Sequence, residues 1–271
     1  MKLTVLVDDS IFEHKQLLAE HGLSFYIEVD GKKILFDTGE TDVFIHNAKK
    51  LGIDLSDLDY IVLSHGHYDH TCGLKHYIEQ IAPTAARKPV LLTHPDSFLS
   101  KTEQDCANIG MNITRAELEK HFEIKTTIEP YKISESMIFL GQIPRNNDFE
   151  AQEPICHIEK DGTLNDDFVW EDSALLYQSE DSISIITGCS HSGICNIVDY
   201  AATLSGQKKI SAIIGGFHLC DTPCDILQKI ISHLKKYDIE AIYPCHCTDF
   251  EAKVAFAKEF FVKNAGVGFA I

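Results

Sequence analysis

Four times in this chain a β-branched apolar run ends at a small or turn residue and then delivers a histidine. Tyr60–Leu63 leads through Ser64 to His65, and Ile183–Thr187 leads through Gly188, Cys189 and Ser190 to His191. Ile210–Ile214 leads through Gly215, Gly216 and Phe217 to His218, and Ile239–Tyr243 leads through Pro244 and Cys245 to His246. Short apolar runs bounded by turn signals read as buried strands, and strands whose ends converge on one rim would gather these imidazoles. The first is the sharpest, because it continues as His65-Gly66-His67-Tyr68-Asp69-His70, four potential metal ligands within six residues.

In an extended stretch, positions two apart face the same way, so His65 and His67 suit one metal ion while Gly66 lets the backbone bend around it. The segment Thr71–Ile81 then carries apolar residues at roughly helical spacing. Asp69 and His70 therefore fall where strand turns to helix and point away from the first pair, which suits a second ion. A surface loop that is merely rich in histidine would not follow a buried-looking strand so directly. Each of the other strand-end histidines, taken singly, reads as a structural residue; their shared placement makes them candidates.

The segments Leu23–Val29 and Lys33–Gly39, the string Ser64–Thr71 and the late strand-end histidines together resemble the metallo-β-lactamase superfamily. Within it, Gly188–Ile197, Gly215–Leu219 and Pro244–Thr248 resemble a subgroup whose members are called 7,8-dihydropterin-6-ylmethyl-4-(β-D-ribofuranosyl)aminobenzene 5′-phosphate synthase, or simply metal-dependent hydrolases. The resemblance runs from near residue 20 to about 250 and implies an α/β fold, a four-layer αβ/βα sandwich with two central mixed β-sheets. It also implies a dinuclear site of divalent ions, with zinc expected first and manganese or iron as alternatives.

The superfamily pattern supplies a third histidine to the first metal, a bridging aspartate after a mid-chain strand, and a last histidine to the second metal. Where that aspartate is expected, this chain has Cys189, with His191 two residues on. The simplest assignment gives His65, His67 and His191 to one metal and Asp69, His70 and His246 to the other. Cys189 is either a thiolate ligand, acceptable to zinc or iron, or an inert buried thiol. His218 either displaces His246 as ligand or stands free to act on substrate. Asp69 and His218 are the candidate catalytic residues: the carboxylate would orient the attacking water, and a protonated His218 would steady the developing oxyanion or protonate the leaving group.

Charge narrows the substrate. Acids outnumber bases 41 to 24, for a net charge of −17, and no basic stretch rich in aromatics occurs. Proteins that bind polynucleotides draw affinity largely from lysine and arginine, so a nucleic-acid substrate is excluded in favour of a small molecule. An anionic one is expected, because two divalent ions would make the site locally positive whatever the mean surface charge.

The nine cysteines are an odd number and are scattered. With an opening apolar run too short for a signal peptide and no stretch approaching a membrane span, they indicate reduced thiols and a cytoplasmic protein that does not engage a membrane. Cys220, Cys224, Cys245 and Cys247 invite a structural-zinc reading, but their spacing matches no ribbon or finger.

At 271 residues the chain reads as one domain, residues 1–271, which is routine for an α/β fold. Strands are predicted at 3–8, 24–29 and 33–36, with a hairpin turn at Asp30-Gly31, and helices at 42–51 and 74–82. Residues 89–95 form a further strand ending near His94, which reads as structural or as a neighbour of the ligands. A pocket-shaping insertion is predicted over about 96–135, with a polar helix at 114–122. Residues 144–172 read as irregular loop of the kind that covers active sites; Arg145 and Trp170 are its candidates for contact with an anion or a ring, or else an exposed arginine and a packing residue.

Three functions remain on the sequence alone. The first is a metal-dependent hydrolase acting on a small phosphate or ester. The second is a transferase that condenses an activated dihydropterin with a ribofuranosylaminobenzene phosphate. The third is a redox or ligand-sensing protein with a retained metal site. Diiron redox members of the superfamily carry glutamate where this chain has His67, which favours hydrolytic or transfer chemistry.

Overall fold

The structure is a computed structural model that describes residues 1–12, 16–103 and 108–271. Its first sheet has six strands in the order β1 (Lys2–Val7), β2 (Ser24–Val29), β3 (Lys32–Phe36), β4 (Tyr60–Val62), β5 (Val90–Thr93) and β7 (Glu123–Thr126). The first two pairings are antiparallel and the rest parallel. The hairpin between β2 and β3 turns at Asp30-Gly31, where both residues take positive φ as a two-residue turn of this kind requires.

The second sheet runs β15 (Asp238–Ile239), β14 (Lys209–Gly216), β13 (Ile183–Thr187), β12 (Ala174–Gln178), β9 (Met137–Phe139) and β8 (Tyr131–Lys132), with β16 (Ile242–Cys245) also pairing to β14. It too is mixed: β13, β14 and β16 are parallel, while β12 is antiparallel to both of its neighbours.

Alternation along the strands sorts the core into three slabs. In β14, Ala212 and Ile214 face one way and Ile213 the other, and an irregularity in register at Ser211 puts Ile210 on the same side as Ile213. The central slab lies between the sheets, where Phe25, Ile27 and Phe36 meet Phe139, Leu175, Ile186 and Ile214. Outside the first sheet pack α1 (Val43–Leu51), α3 (Gly73–Gln80) and α4 (Arg115–His121), through Phe44, Leu74, Tyr77 and Leu118. Outside the second pack α5 (Ile194–Ser205), α6 (Cys224–Leu234) and α7 (Phe250–Ala257), through Ile197, Ile230 and Phe256. The result is the four-layer αβ/βα sandwich with two mixed sheets, each layer burying one apolar face of the next.

Two stretches differ from expectation. Glu123–Thr126 and Arg115–His121 are parts of the first sheet and its outer helix layer rather than of an insertion. Residues 104–107, within the same stretch, lie outside the described residues. Residues 144–172 contain a hairpin, β10 (Cys156–Lys160) and β11 (Thr163–Asp167), turning at Asp161-Gly162 and joined by β6 (Lys101–Thr102) in a small third sheet. Most of β11 is exposed, so no period-two apolar pattern marks it, although its turn signal is present.

Candidate metal centre

Parallel strands in an open sheet carry their functional loops beyond their carboxyl ends, and here both sheets do so on the same rim. After β4 the chain bends at Ser64–Gly66, takes extended backbone at His67, forms one helical turn, α2 (Tyr68–Thr71), and enters α3. His65, His67, Asp69 and His70 are all buried. The loops after β13, β14 and β16 bring up Cys189 with His191, then His218, then His246 with Cys247. Four residues other than glycine on this rim have left-handed backbone: Asp37 (φ 57°), Ser190 (62°), His218 (51°) and His246 (42°). Such conformations cost of order 1–3 kcal/mol each and concentrate at functional sites.

The imidazoles form a continuous cluster. Ring centroids lie 4.8 Å apart for His65–His191 and His67–His191, 4.4 Å for His65–His70 and 5.1 Å for His70–His246. The donor atoms fall into groups in which all atoms lie within 4.8 Å of one another: Asp69, His70, Cys189 and His246 form one, and His65, Cys189 and His191 another. His67 is in neither group, but its Nδ1 lies 3.0 Å from His65 Nε2. Cys189 Sγ is common to both groups.

Hydrogen bonding fixes which ring nitrogens face inward. Ser64 Oγ donates to Asp37 Oδ2 at 2.7 Å, so its 2.8 Å contact with His65 Nδ1 is one in which the ring nitrogen donates. That leaves the His65 Nε2 lone pair pointing at His67. His70 Nδ1 donates to the same Asp37 oxygen at 2.7 Å, leaving Nε2 facing Cys189 Sγ at 3.1 Å. His246 Nδ1 donates to Asp9 Oδ1 at 2.7 Å, and its Nε2 lies 3.1 Å from Asp69 Oδ2. A carboxylate or hydroxyl behind each of these three imidazoles, with the far nitrogen turned inward, is how proteins orient histidines that bind metals.

The electrostatics fit a cation. Burial pushes the basicity of His65 and His191 well below the usual histidine range and that of His67 down to about 3, so all three rings are neutral. Both ring nitrogens of His191 and Nε2 of His67 are buried without a partner among the described residues. Lone pairs meeting at 3.0 Å in a dry site repel unless a proton or a cation lies between them. His70 and His246 behave in the opposite way. Burial opposes their charge, but Asp69 and Asp37 raise His70, and Cys247, Asp69 and Asp9 raise His246. Asp69 itself is held well below the carboxylate range against burial, by His70, His246 and His67. The residues present therefore suit divalent metal: neutral nitrogen donors on one side, and a carboxylate with two polarised imidazoles on the other.

All seven donor residues expected from the sequence lie in this cluster. His218 takes a separate place. It is exposed, packs on His191 with ring centroids 4.3 Å apart, and forms a further group of donors with Cys189 and Cys247. His246, not His218, stands against Asp69. Burial pushes the Cys189 thiol up, while Cys247 is drawn down against burial by a hydrogen bond from Cys189 and by His246 and His218. Gly216 makes room for this arrangement, since a Cβ there would sit 2.5 Å from Cys247 Sγ. Gly188 does the same on the other side, where a Cβ would meet Ser64 Oγ at 2.1 Å.

Four residues around the cluster were not among the donors expected from the sequence, although Asp37 lies in the segment Lys33–Gly39 and Cys247 in Pro244–Thr248. Asp37, Asp9, His21 and Cys247 join it only through the fold; His21 Nε2 reaches Asp69 Oδ2 at 3.5 Å, and Asp9, His21 and His246 form a fourth donor group. Cys220, Cys224 and Cys245 enter no group of three or more donors among the described residues. His94 is structural, accepting from Asp96 N at 3.1 Å on Nδ1 and contacting Gln142 through Nε2. Arg145 donates to the carbonyls of Phe168 and Val169 and stacks on Trp170, which ties the loop together.

The family model described as the metallo-beta-lactamase superfamily matches residues 18–141. An uncharacterised protein of Methanocaldococcus jannaschii is 38% identical over 92% of this chain and 91% of its own length. Another protein from that organism, 31% identical over 96% of this chain and 92% of its own, is named 7,8-dihydropterin-6-methyl-4-(β-D-ribofuranosyl)-aminobenzene-5′-phosphate synthase. A solved structure described as a metal-dependent hydrolase of the β-lactamase superfamily aligns over 100% of this chain and 98% of its own, with 30% identity and a TM-score of 0.84. The chain belongs to the metallo-β-lactamase superfamily. It has the superfamily's metal-dependent hydrolase fold. Among the described residues, no helix is long and apolar enough to cross a membrane.

Proposed function

We propose that this protein is a cytoplasmic metal-dependent hydrolase that acts on a small anionic phosphate or ester through two divalent ions, zinc in the first instance. His65, His67 and His191 would hold one ion, and Asp69, His70 and His246 the other. Cys189 would stand between them as a shared thiolate in the position where the superfamily pattern has aspartate. The observation that carries this reading is the membership of Cys189 Sγ in both donor groups, with three neutral imidazoles on one side and an anion-rich set on the other. Thiolate and imidazole together favour zinc or iron over magnesium or calcium.

When bound, such ions supply Lewis acidity and bring the pKa of water to about 7. The chain does the rest. Asp69, whose Oδ2 lies within 3.5 Å of nitrogens on His246, His70 and His21, would orient the attacking water. His218, on the exposed rim beside His191, would donate a hydrogen bond to the oxygen that gains charge or to the leaving group. The acidic balance of 41 to 24 supports a small substrate over a polynucleotide.

The test is turnover of a panel of phosphomonoesters, phosphodiesters and carboxylic esters by zinc-loaded protein, with and without chelator. Chelator-sensitive hydrolysis of one class supports the reading; absence of turnover across the panel opposes it.

The synthase named among the relatives supports a second reading, in which the same residues would hold the diphosphate of an activated pterin while the amino nitrogen of the aminobenzene attacks the methylene carbon, the carbon–oxygen bond breaks, diphosphate leaves and the amine gives up a proton. Pterin-dependent product formation without hydrolysis of the panel would favour it.

A further inference from the structure

One face of the site is not accounted for by the metal-binding residues. A cavity of about 450 Å³ opens directly beside His191 and His218 and runs inward between α6 and the loop that carries Phe149. Its walls are mainly apolar: Phe149, Phe217, Ile226 and Ile230 contribute side chains, and no lysine or arginine lines it among the described residues. Of the carboxylates on its lining, that of Glu150 is turned to the backbone N–H groups of Cys195 and Asn196 and to Asn147 Nδ2, so it is already satisfied. Asp148 and Glu153 remain at the exposed mouth, where they would repel a second anionic group. The volume is in the range of pockets that enclose small organic ligands, roughly 300–1,000 Å³.

Charge and shape therefore divide the rim in two. The donor cluster suits an anionic head, and the adjoining cavity suits what is attached to it. We infer that this cavity is the subsite for an uncharged aryl or alkyl group, and that the substrate is an amphiphilic ester with its single anionic end at the donor cluster. The inference rests on the hydrolase reading above, and it adds the chemical class of the substrate's other end. His191 and His218 line both compartments, so one molecule can reach from one into the other.

The experiment is calorimetric titration of zinc-loaded protein with a homologous series of n-alkylphosphonates, from methyl to octyl. Each methylene buried should tighten binding about fourfold until the cavity is full. Ile226→Asp, at a partly exposed position on α6, should flatten the series while leaving methylphosphonate affinity and zinc content unchanged, and Ile226→Val should retain the slope. A flat series in the wild type, with methylphosphonate still bound, overturns the subsite and leaves the hydrolase reading standing. Failure of every phosphonate to bind fully zinc-loaded protein overturns both.

Discussion

His70 Nδ1 lies 2.7 Å from Asp37 Oδ2, and both side chains are wholly buried. Asp37 follows the last residue of β3 with left-handed backbone, accepts from Ser64 N and Ser64 Oγ as well, and so fixes the tautomers of two histidines at once. Replacing it with alanine would free both rings to rotate and leave Ser64 unpaired. Asp37→Ala is expected to weaken metal retention 10–100-fold, the usual effect of removing such a support, and Asp37→Asn to weaken it less. Competition with a chelator of known affinity measures this. Unchanged retention in Asp37→Ala would refute the positioning role.

Asp9 supports His246 in the same way, donor to carboxylate at 2.7 Å, but it is partly exposed. Solvent can replace much of its effect. Asp9→Ala should therefore reduce retention of one ion only, and by less than Asp37→Ala. Equal loss in the two variants would contradict this ranking.

Cys189 is the residue on which the two-ion assignment turns. Cys189→Ser keeps the volume but replaces a soft donor by a hard, weakly acidic one. Loss of at least one ion per chain is expected, together with loss of the sulfur-to-metal charge-transfer band when cobalt is substituted for zinc. Retention of that band in Cys189→Ser would assign the thiolate elsewhere, with Cys247 the nearest alternative.

Behind the loop of His65 and His67, Lys101 is buried in contact with Asp167 and 2.8 Å from Glu171 Oε1, both buried too. Removing it would leave two carboxylates without their cation. Lys101→Met is expected to cost about 3–5 kcal/mol of stability. Burial lowers its pKa, but Glu171 and Asp167 outweigh burial and raise it above the ordinary 10.5. A raised cation contributes stability that is complete below the unfolded value and is lost only as pH rises through the folded one. The deficit of Lys101→Met, measured by urea denaturation, should thus be the same at pH 7 and pH 9. A deficit that vanishes by pH 9 would rule out the charged cluster as its cause.

Much of the fold was legible because its signals are local. Runs such as Ile183–Thr187 and Ile210–Ile214 are apolar on both faces, as central strands of a covered sheet must be, and Asp30-Gly31 marks its hairpin. The hairpin at Cys156–Asp167 escaped notice because exposed strands carry no apolar alternation, and Glu123–Thr126 because an edge strand with alternating exposure looks like loop. The donor cluster was legible where motif spacing sets geometry, as in His65 to His70. Asp37, Asp9, His21 and Cys247 were not, because only tertiary packing brings them within reach, over separations of 33 residues for Asp37–His70 and 237 for Asp9–His246.

Metal content per chain tests the central claim most directly. Native mass spectrometry of zinc-saturated protein should show two ions per chain in the wild type. One should be lost in His191→Ala, which strips the first donor group, and the other in His246→Ala, which strips the second. A wild-type chain that binds a single ion, or variants that both keep two, would contradict the dinuclear centre and the reaction proposed from it.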